Sequence, residues 1–230
     1  MPEPIISAGT MIKVSSAIIS KAPQGIELVK SWWKGKTILI VGQLRAGKTT
    51  FLEYFQHGFW GDIKETERTL ESVPTARFTV KLGRNESLEL YVSTVIDTSG
   101  QSPTYQLAEK TFEKNPHAIL IFMDLTQSLS KSEEWLYGFC RKLEDYWRAN
   151  KTKANRIRTI ILALNKIDKV DEEVIKTRRK VFQKILDAEL RDTRGIKLKN
   201  IRIMPSVMVT NSKQTAFADD LIKHLAISLN

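Results

Sequence analysis

The chain has 230 residues, room for one domain with an extension and too few for two ordinary domains. Hydrophobic residues make up 42% and charged residues 27%, which supplies one sizeable core and excludes a wholly disordered chain, and the single cysteine, Cys140, excludes an internal disulfide or a cysteine-rich zinc site. The net charge of +10 is carried entirely by residues 141–203, where 19 basic side chains stand against 9 acidic ones. That block suits an anionic membrane surface, nucleic acid, an acidic partner, or simply a solvated helix face. No apolar run approaches the roughly 18 residues of a membrane span. Glu3 stands where a secretory leader would be basic, so the expected localisation is cytoplasmic.

Residues 1–35 stand apart from the rest of the chain. On a helix, Ile5, Ala8, Met11, Ile12, Val14, Ile18 and Ile19 cover one wide half, opposite Lys13, Ser16 and Ser20, before Pro23 and Gly25 interrupt it. The expected division is an amino-terminal extension, 1–35, and a folded domain, 36–230. Thr37 to Gly42 is a β-branched run closed by glycine, the pattern of a buried strand feeding a tight turn. A helix is expected from Lys48 to His57, with Gly58 as its stop. Phe59 to Pro74 is polar and without period, which reads as a long loop. Strands over Arg77 to Leu82 and Leu88 to Ile96 meet through Gly83-Arg84-Asn85-Glu86, a sequence that suits a hairpin.

A short helix at 105–113 precedes the apolar strand 118–123. Leu136, Phe139, Cys140, Leu143 and Trp147 recur at helical spacing and predict a helix over 132–149. Thr159 to Leu164 is a further buried strand, and Val174, Val181, Phe182, Ile185, Leu186 and Leu190 mark a long basic helix over 172–194. A strand at 200–209 and a helix at 216–229 complete the alternation. The pattern predicts an α/β fold: a mostly parallel six-stranded sheet, one antiparallel edge strand, and helices on both faces.

Gly42-Gln43-Leu44-Arg45-Ala46-Gly47-Lys48-Thr49 fits G-x-x-x-x-G-K-[ST] between a strand and a helix, where the phosphate-binding mechanism requires it. Backbone N–H groups must wrap a phosphate there, glycine permits the close approach, and the helix amino terminus adds positive potential. Lys48 is expected at the β- and γ-phosphates and the Thr49 hydroxyl on Mg²⁺. Asp97-Thr98-Ser99-Gly100 closes the strand beside that loop, so Asp97 would hold Mg²⁺ through water and the Gly100 N–H would meet the γ-phosphate. Asn165-Lys166-Ile167-Asp168 comes directly after another strand; a carboxylate at Asp168 accepts hydrogen bonds from guanine N1–H and its exocyclic amine, neither of which adenine offers.

With these motifs in this order, residues 36–230 resemble the Ras-like small GTPases of the P-loop NTPase class, in the Ras/Arf-like branch. The resemblance implies GTP and GDP as substrate and product, Mg²⁺ as cofactor, and nucleotide contacts along Gly42, Gln43, Leu44, Arg45, Ala46, Gly47, Lys48, Thr49 and Thr50. It also implies Thr75 as a Mg²⁺ ligand that senses the γ-phosphate and Gln101 as the residue that orients the attacking water, so that Lys48, Thr75 and Gln101 form the catalytic set. Asn165, Lys166 and Asp168 would hold the base, with Asn211, Ser212 and Lys213 in place of the more usual Ser-Ala-Lys. Trp60, or else Phe59, stands where the family often stacks an aromatic edge on guanine; core packing is the alternative.

Leu44 and Arg45 depart from the small residues common in the family and would crowd the path of a partner's arginine. Neither a prenylation box nor a myristoylation glycine is present, since Pro2 follows Met1. The expected function is a slow GTP-hydrolysing switch with protein effectors and an activating partner; the alternative is a module that holds GTP or GDP with negligible hydrolysis. Residues 1–35, with Trp32 and Trp33 among Lys30, Lys34 and Lys36, would make a peripheral membrane contact or pack on the domain, and a nucleic-acid partner is disfavoured because no binding motif accompanies the charge.

Overall fold

The computed structural model describes residues 36–57, 72–81, 87–97, 102–150, 152, 155–191, 201–207 and 215–229. The chain runs β1 (Lys36–Gly42), α1 (Lys48–His57), β2 (Ser72–Lys81), β3 (Ser87–Asp97), α2 (Thr104–Lys114), β4 (Ala118–Asp124), α3 (Leu129–Ala149), β5 (Thr159–Asn165), α4 (Glu172–Leu186), β6 (Ile201–Pro205) and α5 (Thr215–Leu229). The strands form one six-stranded sheet in the order β2-β3-β1-β4-β5-β6. β2 and β3 pair antiparallel and every other neighbouring pair is parallel, as the sequence predicts.

Strands β1, β4 and β5 carry apolar side chains at successive positions because both of their faces are covered. Alternate residues point to opposite sides. Ile38, Ile40, Leu120, Phe122 and Ile161 pack with Phe51 and Tyr54 of α1 and Leu221, Ile222 and Leu225 of α5. The Tyr54 hydroxyl donates to Asp219, tying those two helices together. Leu39, Val41, Ile119, Ile121, Ile160 and Leu162 face the other way, onto Leu107 of α2, Leu136, Phe139, Cys140, Leu143 and Trp147 of α3, and Phe182 and Leu186 of α4. Each such side chain contributes about 2 kcal/mol through the apolar surface it removes from water.

Four boundaries differ from expectation by three residues or more. β2 begins at Ser72 and so absorbs Ser72-Val73-Pro74, the end of the expected loop, together with Thr75 and Ala76 that follow it, because β3 offers pairing as far as Ser72↔Ile96. Pro74 is tolerated there since β2 is the edge strand of the described sheet. α3 starts at Leu129, three residues early, with Ser128 as a cap whose hydroxyl accepts from the Lys131 N–H. The basic helix does not continue to 194 as a regular α-helix: Asp187–Arg191 form a π turn, whose wider winding keeps Phe182, Leu186 and Leu190, spaced by four, in one buried line. β6 is observed over Ile201–Pro205 within the expected 200–209, and the Ser206 N–H still bonds Leu164 O at 2.8 Å. The extension 1–35, Gly58, residues 59–71 and the turn 82–86 lie outside the described residues.

At the amino-terminal ends of β1, β4 and β5, His117 Nδ1 accepts from the Thr37 N–H at 3.0 Å. Burial, together with Arg156, Lys36 and Arg158 nearby, lowers the His117 pKa from 6.5 to about 4. Between those values the unfolded chain takes up a proton that the folded chain refuses, so stability is expected to fall as the pH drops through that window. Thermal unfolding from pH 7 down to pH 4.5 checks this, and the decline should be shallower in His117→Gln. An equal slope would assign the acid sensitivity to other groups.

Candidate functional site

β1 delivers its last residue, Gly42, against the backbone of β4. Gly42 has φ +151°, and a Cβ on it would lie 2.2 Å from Phe122 O, so only glycine fits the crossing. The chain then turns through Arg45 (φ 57°) and Gly47 (φ 89°) into the amino terminus of α1. Such left-handed turns aim successive N–H groups inward and make a nest for anions. Lys48, only 6% exposed, folds its ammonium back to donate to Gly42 O at 3.2 Å and Gln43 O at 2.8 Å. Thr49 and Thr50 stand in the first turn of α1, and Leu44 and Arg45 are exposed on the outside of the loop.

The end of β5 closes on this loop. Asn165 Nδ2 donates to Ala46 O at 2.7 Å, while its Oδ1 is buried with no partner among the described residues. Lys166 is next, in a left-handed conformation (φ 64°, ψ 36°), and pairs with Asp124 Oδ2 at 2.6 Å. Asp168 is exposed on the short 3₁₀ turn Ile167–Lys169.

Two residues take parts that their sequence context does not assign. Asp124, at the carboxyl end of β4, accepts from the Thr126 N–H and hydroxyl through Oδ1. Burial pushes its carboxyl pKa up, but the bonds from Lys166 and Thr126 prevail and hold it below the ordinary carboxylate value. Gln43, a loop residue, turns its side chain inward: Oε1 accepts from the Asp124 N–H at 2.9 Å and Nε2 donates to Ser132 Oγ at 3.2 Å. Its main-chain N–H donates to Phe122 O at 3.2 Å, so its contact within the loop is the carbonyl that accepts from Lys48. The sequence signal for Asp124 is a carboxylate closing an otherwise apolar strand.

Asp97 ends β3, whose register with β1 sets it opposite Ile40, two residues before Gly42. Thr75 lies within β2, three residues beyond Ser72, so its backbone lies roughly 10 Å along the sheet from the level of that strand's start. Gly100, Gln101, Trp60, Asn211, Ser212 and Lys213 lie outside the described residues. Among the described residues no three His, Cys, Asp or Glu side chains converge as a metal cage.

A family model described as "Ras of Complex, Roc, domain of DAPkinase" matches residues 37–168. The chain belongs to the Roc family. It is thus a Ras-like GTP-binding domain of the P-loop class, and the Roc match runs from β1 to Asp168, spanning the phosphate loop and the Asn165–Asp168 turn. The Roc chain is similar to translation elongation factor SelB from Methanococcus maripaludis, solved with the GTP analogue GppNHp, at 21% identity over 86% of this chain and 34% of that one, with a TM-score of 0.49. Against a bacterial selenocysteine-specific elongation factor, EF-Sec, the figures are 18% identity, 86% and 29% coverage, and a TM-score of 0.47. The Roc chain spans about a third of the length of these factors. Comparison with curated protein sequences gives no match.

Proposed function

We propose that this Roc domain is a molecular switch that hydrolyses GTP to GDP and phosphate with Mg²⁺. The observation that carries the reading is the Asn165–Ala46 hydrogen bond, which fastens a guanine-selective turn to the rim of a phosphate loop. The buried Asn165 Oδ1 and the inward-turning loop around Lys48 suit a ligand with both polar base edges and phosphates. Lys48 meets the β- and γ-phosphates, Asp168 reads the guanine edge, and Thr50, Gly100, Trp60, Asn211, Ser212 and Lys213 complete the nucleotide contacts. Thr49 at the helix amino terminus and Asp97 on the strand beside it offer the hard oxygen donors that Mg²⁺ takes. When bound, Mg²⁺ neutralises charge on the phosphate oxygens. Thr75 joins that set only when the start of β2 shifts from β3, so residues 59–75 and 98–106 are the segments that report the nucleotide state. Gln101 orients the attacking water.

Single-turnover GTP hydrolysis by the purified chain tests the reading. The expected rate is on the order of 10⁻⁴ to 10⁻² s⁻¹, since no internal arginine stands three residues before Thr75, where the chain has Ser72. It should require Mg²⁺ and drop further in Gln101→Leu, with nucleotide affinity nearly unchanged. A rate indifferent to both would refute the assignment of these residues. A second reading, a GTP- or GDP-holding module with negligible hydrolysis, draws on Leu44, 49% exposed, and Arg45 beside it, which crowd the approach of an activator's arginine.

The same proposal takes residues 1–35 as an extension to a GTPase domain, 36–230, in a cytoplasmic protein with effectors and peripheral membrane contact; the wide apolar face and flanking lysines support it. No helix among the described residues is long and apolar enough to cross a membrane.

A further inference from the structure

Asp124 is 1% exposed, and its two carboxylate oxygens and its main-chain N–H face three different segments. Oδ2 pairs with Lys166 of the turn after β5, Oδ1 accepts from Thr126 in the loop after β4, and the main-chain N–H donates to the Gln43 side chain in the phosphate loop. Gln43 in turn reaches Ser132 of α3. A continuous polar path, Ser132–Gln43–Asp124–Lys166, thus runs from α3 under the phosphate loop to the base-reading turn. Arg178 of α4 binds the same loop, donating to Gln127 O at 2.5 Å, and is a second cation near Asp124.

We propose that Asp124 is a positioning residue for guanine recognition, holding Lys166 through its carboxylate and the phosphate loop through its main chain. The inference rests on the guanine-nucleotide reading and deepens it. Lys166 adopts a left-handed backbone, which is unfavourable for a non-glycine residue, so an anchor is needed to keep the turn in that shape. The anchor is a pair with side chains only 13% and 1% exposed, where removing one charge leaves the other uncompensated. Without it the ammonium moves to water, and Asp168, two residues on, loses its fixed aim at the base edge. Asp124 acts through Lys166 and touches no reacting atom.

GDP release from the full chain tests this. Asp124→Asn keeps the acceptor for Thr126 and removes only the charge; it is expected to release GDP about tenfold faster, with the melting temperature of the nucleotide-free protein shifted by no more than about 2 °C. Lys166→Met should release GDP at least as fast, and the double variant no faster than Lys166→Met, because the two residues act as one unit. Lys166→Arg, still able to pair with Asp124, should release GDP more slowly than Lys166→Met. Additive single effects, or unchanged release in Asp124→Asn, would overturn the inference, as would a stability loss large enough to account for the whole change. Should Asp124→Asn not fold, equal release from Lys166→Arg and Lys166→Met decides against it. Failure of the unmodified chain to bind GDP would remove the guanine reading and this inference together, whereas tight GDP binding with Asp124→Asn unchanged removes this inference alone.

Discussion

Asp168→Asn is expected to weaken GTP and GDP binding by about 3 kcal/mol, the scale of removing a charge-assisted hydrogen bond and leaving its donor on the base unpaired. The carboxylate is exposed on the Ile167–Lys169 turn and engages no hydrogen bond among the described residues, so the isosteric change leaves the fold nearly untouched. The effect falls on the ligand, because an amide presents a donor where guanine N1–H and its exocyclic amine both require acceptors. Titration of GDP, GTP and ATP against both proteins checks this, with ATP far weaker than GTP on the unmodified chain. Equal affinity for ATP and GTP would sink the base assignment.

Gly42→Ala is expected to destabilise the fold by more than about 4 kcal/mol, or to prevent folding. The added Cβ would meet Phe122 O at 2.2 Å, N at 2.8 Å and C at 2.9 Å, all backbone atoms of β4 that cannot step aside without parting the sheet. Gly138 is the control: a Cβ there meets the Thr104 side chain at 3.1 Å, which can rotate. Alanine in the helix interior gains about 1 kcal/mol over glycine, so Gly138→Ala should lie near the parent. Urea midpoints of the two variants measure the contrast. A Gly42→Ala protein with a parental midpoint would mean that β1 and β4 separate at their carboxyl ends at little cost.

Much of the sheet was readable because strands covered on both faces leave no polar position to confuse the pattern, as in Ile38 to Val41 and Ile160 to Leu164. The start of β2 was not, because Pro74 argues locally against a strand and only its edge position and pairing with Thr94 admit it. The π turn after α4 was hidden for a related reason: four-residue spacing at Phe182, Leu186 and Leu190 reads as α-helix until winding must match burial. In the candidate site, Gly42 to Thr49 and Asn165 to Asp168 are contiguous motifs and legible as such. Gln43's inward side chain was not, since its partners Asp124 and Ser132 lie 81 and 89 positions away. Which of several distant polar residues meets a buried amide is decided by strand order, and no local pattern encodes it.

Cys140 sits fully buried on the inner side of α3, where burial, with Glu189 nearby, pushes its thiol far above the ordinary range. The folded protein therefore presents no thiolate to an electrophile or oxidant. Sulfur chemistry must wait until α3 lifts from the sheet, so its tempo is the tempo of that opening. As the chain's one thiol, it keeps a chemical memory of unfolding: a molecule modified at Cys140 has been open at least once.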